Sequence, residues 1–128
     1  PKEHMLWVAA AGPASNLLQA IAWGGLLKLA LVMPEHYYSV PMALIADAGI
    51  MVNLVFMVLN LIPILPLDGG RIAFSLLPDK LAVGYGRLAR FGLPLLILLL
   101  FVHVQTGFLD SFVAAANSAI YSLFGFQA

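Results

Sequence analysis

The sequence predicts an all-α fold: a polytopic membrane helix bundle of about three transmembrane helices, with a Pro/Gly-broken segment and a short C-terminal helix. Three observations predict it. Of the 128 residues, 62% are hydrophobic and only 9% are charged, whereas a soluble domain is about half apolar and roughly a quarter charged. The mean hydropathy is +0.99. Residues 5–27, 48–67 and 91–109 carry no charge, and about 20 apolar residues cross a bilayer core. A soluble domain of this size cannot hide so much apolar surface, and the same composition excludes intrinsic disorder. Six basic residues balance six acidic ones, so no basic excess exists to neutralise nucleic-acid phosphates. The absence of Cys excludes disulfides, iron–sulfur clusters and thiolate-bound zinc.

The first span is expected over about 7–33. A secretory signal peptide fits it poorly, because no clean small-residue cleavage site follows. Pro13 lies near the expected start, where helical N–H groups lack partners anyway. Gly12, Ser15, Asn16, Gln19 and Trp23 recur at helical spacing and share one face. That face is expected to point into the bundle, since small residues allow close helix contact and Asn or Gln hydrogen-bond between helices. Lys28 lies inside the outer boundary and can snorkel towards it. Pro34, Glu35, His36, Tyr37 and Tyr38 form a polar and aromatic break. The second span is expected over about 44–63, with Asn53 and Asn60 on one face. The third is expected over about 90–109. The uncharged tail 111–128 reads as a short span or, preferably, an interfacial helix. No repeat or linker divides the chain, so 1–128 reads as one membrane-embedded unit.

Lys and Arg placement sets the expected orientation. Arg71, Lys80, Arg87 and Arg90 lie between the second and third spans, and the segment between the first and second has neither Lys nor Arg. Residues 66–90 are therefore expected to be cytoplasmic, with the N-terminal Lys2 on the same side. Tyr37 and Tyr38 suit an outer aromatic belt.

The stretch 60–71 carries the most chemistry. Pro63 and Pro66 cannot both sit inside a regular helix, and Gly69 and Gly70 permit unusual backbone angles. The backbone must unwind near the inner end of the second span. Irregular backbone at membrane depth survives only when buried in protein or lining a wet cavity. Asp68 sits at that break. It reads equally as the N-cap of a short helix or as a functional carboxylate, costly there unless paired or bound to a metal such as zinc.

The run Asn60-x-x-Pro63-x-x-Pro66-x-Asp68-Gly69 resembles the Asn-x-x-Pro…Leu-Asp-Gly signature of the site-2 protease family of intramembrane zinc metallopeptidases. Upstream, Ala11-Gly12-Pro13-Ala14-Ser15-Asn16 resembles that family's Ala-Gly-Pro-x-x-Asn motif. The resemblance covers essentially the whole chain and is weakest beyond about Leu109. It implies that Asp68 is a zinc ligand and that Asn60 positions substrate or the polarised carbonyl. It gives Gly12, Pro13, Asn16, Pro63, Pro66, Gly69 and Gly70 structural roles. The implied substrate is the transmembrane segment of a membrane-anchored protein, cleaved in regulated intramembrane proteolysis. The implied setting is a lipid bilayer, and the compact resemblance points to a bacterial inner membrane.

The family's His-Glu-x-x-His is absent: His4, His36 and His103 have no second His four residues away, the spacing two ligands on one helix turn require. Packed or hydrogen-bonded roles are expected for all three. The chain then holds one of three expected zinc ligands and is expected to be inactive alone, the remaining ligands belonging to N-terminal helices of the same protein. Two other readings compete: a catalytically inactive scaffold of the same fold, and an ion-binding transporter fragment with a broken helix at Asp68. A serine intramembrane protease is disfavoured, because Gly-x-Ser-x-Gly is absent.

Overall fold

The long apolar runs become helices, and their ends fall where the sequence withdraws a backbone donor. The computed structural model describes residues 2–34 and 37–126. It contains α1 (Lys2–Val32), α2 (Ser39–Asn60), α3 (Asp68–Leu76), α4 (Asp79–Arg87), α5 (Gly92–Thr106) and α6 (Asp110–Phe124), with a 3-10 turn at Leu88–Phe91 joining α4 to α5. No strand occurs among the described residues. Three helical runs are long and apolar enough to cross a membrane: Lys2–Val32, Ser39–Asn60 and Asp79–Thr106.

The boundaries differ from the sequence expectation in instructive ways. α1 begins at Lys2 rather than near residue 7, which places Pro13 inside the helix and not in its first turn. Neighbouring helices can absorb such a lesion in a membrane protein, and Pro13 is buried. α2 begins earlier than 44 and stops at Asn60, because Pro63 disfavours helical angles at Ile62. The helical run that holds the third expected span begins well before residue 90, since α4, the 3-10 turn and α5 run on continuously. It ends at Gly107, whose positive φ of 65° forms a left-handed cap; its N–H donates to the His103 carbonyl at 2.6 Å.

α1 and α2 form the most extensive helix pair, and they run antiparallel. Ala20, Leu27, Ala46, Ile50, Leu54 and Ile120 make the buried core. Two close approaches seat aromatic rings on glycines. The Trp23 indole lies where a Cβ on Gly49 would stand, and the Phe124 ring lies where one on Gly24 would stand. Ala9, Pro13, Ala20, Gly24, Leu27 and Ala30 form the buried stripe of α1. The expected polar face is not the one packed on α2: Trp23 does turn inward, but Ser15 and Gln19 are exposed among the described residues and bond to each other, Gln19 Nε2 donating to Ser15 Oγ at 3.2 Å. Close helix approach selects the smallest side chains, and that stripe lies roughly 70° round the axis from the polar one at about 100° per residue. Asn53 is buried, and its amide donates to the Gly49 carbonyl of its own helix at 2.8 Å.

The tail forms α6, which lies against both α1 and α2. Ile120 enters the core. The Tyr121 hydroxyl donates to Asp47 Oδ1 at 2.5 Å. Lys28 donates to the Phe124 carbonyl at 3.1 Å and lies over the Phe126 ring. α5 stands apart: Gly92 is its one buried residue, and Ile97, Leu98, Phe101 and Val104 are exposed, as lipid-facing side chains are. An open apolar crevice of about 450 Å³ separates it from the end of α2, lined by Val58, Ile62, Leu99 and Phe112 among others.

Tyr121→Phe should loosen α6 at a cost of about 1–2 kcal/mol, the worth of a hydrogen bond to a carboxylate. Limited proteolysis beyond residue 109 should report the change, with α1 and α2 unaffected.

Candidate functional site

The site begins with the backbone after α2. Pro63 and Pro66 supply no N–H. Ile64 N–H turns back to the Ile62 carbonyl and Leu67 N–H to the Ile64 carbonyl, each at 2.8 Å. The Leu65–Pro66 peptide is cis. Three glycines allow other segments to close on this strap. A Cβ on Gly69 would collide with the Leu61 and Ile62 carbonyls, one on Gly70 with the backbone of Ile64 and Leu65, and one on Gly92 with the Leu65 carbonyl. Gly69 and Gly70 are therefore required for contact as much as for flexibility.

Asp68 opens α3. It is the first helical residue; Leu67 is the N-cap, and no side chain caps the helix by a hydrogen bond. The capping alternative is not the arrangement found, although a carboxylate in a first turn still suits the helix dipole. Asp68 is partly buried. Its carboxylate lies on Gly12 of α1, where a Cβ would overlap Oδ2 and come within 3.1 Å of Cγ. None of the described hydrogen bonds or ion pairs engages it. The two motifs, far apart in sequence, thus meet at one point: the glycine of the first makes room for the carboxylate of the second.

The other expected residues are placed as follows. Asn60 is the last residue of α2 and Asn16 lies on α1; both are partly buried. Pro63 offers its carbonyl to the Tyr85 hydroxyl at 2.5 Å. His4 is exposed on α1, and His36 lies outside the described residues. His103 Nδ1 accepts from Leu109 N–H at 3.3 Å, and its ring meets Phe108 edge-on. Among the described residues no three His, Asp or Glu side chains gather to hold a metal ion. Asp68 can offer a carboxylate oxygen, but it belongs to no such group of three among the described residues.

Sequence reasoning missed Tyr85 and Gly92, which lie beyond both motifs. A signal existed for Gly92, a glycine opening an apolar run. It also missed a partner for Lys2, whose ammonium donates to the Leu77 carbonyl at 2.9 Å and to Asp79 Oδ1 at 2.7 Å. That contact places the start of α1 and the α3–α4 junction at the same end of the bundle.

Gly12→Ala should displace the Asp68 carboxylate at a cost of about 1 kcal/mol, the low end for overpacking, because the atoms that must move are the end of a half-buried side chain. Gly25→Ala, on the same helix with nothing near its added Cβ, should be neutral or stabilise by up to about 1 kcal/mol. Thermal unfolding of the two variants makes the comparison.

No family model matches the chain, and no solved structure matches it. A curated protein of Bacillus subtilis (strain 168), named "Putative zinc metalloprotease YwhC", is 30% identical over 132 aligned residues. The alignment takes in 97% of this chain and 58% of that protein, so the chain spans little more than half the length of its relative. Along nearly its whole length, the chain is similar to a protein named as a zinc metalloprotease.

Proposed function

We propose that the chain forms the C-terminal part of a site-2-type intramembrane zinc endopeptidase and contributes Asp68 as a metal ligand. One observation carries the proposal: a carboxylate without a described partner is held at a proline-broken helix end, against a glycine that leaves space for it. The residue fits the role. An oxygen donor there is costly unless paired or metal-bound, and zinc accepts carboxylate oxygen. The likeness to the Bacillus subtilis protein supports the zinc and the peptidase chemistry.

Three protein ligands and one open position make a catalytic zinc site. In this reading the other two, and the general base, come from a His-Glu-x-x-His helix outside these residues. The exposed Ser15 and Gln19 beside Gly12 offer that helix a polar face. When bound, zinc supplies polarisation of the scissile carbonyl and acidifies a water molecule. Asp68 orients the site from α3, and Asn60 at the end of α2 positions the substrate peptide. The crevice between α2 and α5 opens beside Ile62 and Pro63 and is apolar, as a transmembrane segment arriving from lipid requires. The substrate is the transmembrane segment of another protein, unwound at its scissile bond.

The test uses the complete reading frame, purified and reconstituted, with zinc content and cleavage of a membrane-anchored reporter as readouts. Asp68→Asn should lose most of the zinc and all cleavage, whereas Asn60→Ala should keep zinc and cleave roughly 100-fold more slowly, the usual cost of removing a polar group that stabilises the reacting carbonyl. Full zinc content and cleavage in Asp68→Asn would overturn the site. Zinc-free protein that transports an ion would favour the transporter reading.

Residues 66–90 face the cytoplasm of a bacterial inner membrane in this proposal, because they hold four of the six Lys and Arg. A cysteine replacing exposed Arg87 should react with a membrane-impermeant thiol reagent only after the cells are opened.

A further inference from the structure

The strap between α2 and α3 depends on a residue that neither motif contains. A helix continuing past Asn60 would pair the Pro63 carbonyl with an N–H three or four residues on. Pro66 has none, and Leu67 N–H is taken by the Ile64 carbonyl. The Pro63 carbonyl is left without a backbone donor. The Tyr85 hydroxyl supplies one, at 2.5 Å, from 22 residues away on α4. It is the one described side-chain hydrogen bond to residues 61–67. Seven residues beyond Tyr85, Gly92 closes on the Leu65 carbonyl. One continuous helical run, Asp79–Thr106, therefore grips the strap at two points. The strap ends at Leu67, and Asp68 follows. Behind Asp68, Gly69 is pressed on the Leu61 and Ile62 carbonyls, so the strap cannot shift without moving the start of α3.

We propose that Tyr85 is a positioning residue for the Asp68 carboxylate, acting through the Pro63 carbonyl. Tyr85 sets where the strap lies, the strap sets where α3 begins, and α3 aims its first side chain at Gly12. The inference rests on the reading of Asp68 as a zinc ligand. Partners that orient a metal ligand indirectly contribute typically 10–100-fold in metal affinity, and Tyr85 acts at one further remove.

The experiment compares Tyr85→Phe, Asp68→Asn and Tyr121→Phe with the parent protein, each from the complete reading frame in detergent or nanodiscs. Zinc affinity is measured by competition with a chromophoric chelator. Amide hydrogen exchange over 61–68 is measured on the metal-free protein. Tyr85→Phe removes one oxygen and keeps the ring, so helix content should be unchanged. Its zinc affinity should fall about tenfold, and the amides of Ile64 and Leu67 should exchange about fivefold faster or more. Tyr121→Phe loses a similar bond at α6 and should change neither readout. Gly92→Ala strains the second grip point and should repeat the loss of affinity. If Tyr85→Phe binds zinc as the parent does, while Asp68→Asn has lost it, the positioning role is overturned and the ligand assignment stands. If Asp68→Asn keeps parental affinity, the ligand assignment fails and takes this role with it. Global unfolding of Tyr85→Phe would also overturn the proposal, because the hydroxyl would then serve the fold as a whole.

Discussion

A helix that loses its N–H donors inside a membrane has to find others, and this constraint organises the protein. Pro63 and Pro66 end α2 and take away N–H donors that its last carbonyls would have used, and such a carbonyl shut away from water would cost several kcal/mol. The chain answers with tight turns at Ile64 and Leu67, a tyrosine hydroxyl on the Pro63 carbonyl, and glycines that let α3 and α5 close against the exposed backbone. The position of Asp68 is a consequence. It is the first residue able to resume a helix once the strap is closed.

Two lysines solve a related problem at opposite ends of the bundle. Lys2 donates to the carbonyl of Leu77, the residue that terminates α3. Lys28 donates to the carbonyl of Phe124, the last residue of α6. Carbonyls at helix C-termini are both unpaired and partially negative, so a cation there serves hydrogen bonding and the helix dipole together. Each bond also joins elements distant in sequence. Lys28 holds α6 to α1, with Phe124 seated on Gly24 and Tyr121 on Asp47. Lys28, expected from the sequence only to snorkel towards the outer boundary, is thus a tie between helices.

The polar half of α1 joins fold to function. The face on which Gly12 receives Asp68 continues through Ser15 and Gln19, which are exposed among the described residues although α1 is one of three helices long and apolar enough to span a membrane. Polar groups facing lipid are unfavourable. A helix bringing metal donors to Asp68 would cover that same face, so completing the coordination and burying the polar groups are one event in the proposed enzyme.

Composition alone determined the class of this protein, because 62% hydrophobic residues in a short chain have no soluble solution. Local chemistry also marked the break after Asn60 and the aspartate that follows it, since proline and glycine act on the backbone whatever surrounds them. What surrounds them belonged to the tertiary structure. Helical periodicity grouped Ser15 and Gln19 with Gly12, but the buried stripe of α1 is set by which side chains are small enough for α2 to approach, and that depends on the partner helix. Asp68 could be either a cap or a ligand in sequence; folding placed it one residue past the cap and laid it on Gly12. Tyr85 was silent for the same reason. A hydroxyl that completes a carbonyl 22 residues away leaves no periodic or compositional trace, because the need it meets is created only when the chain has folded.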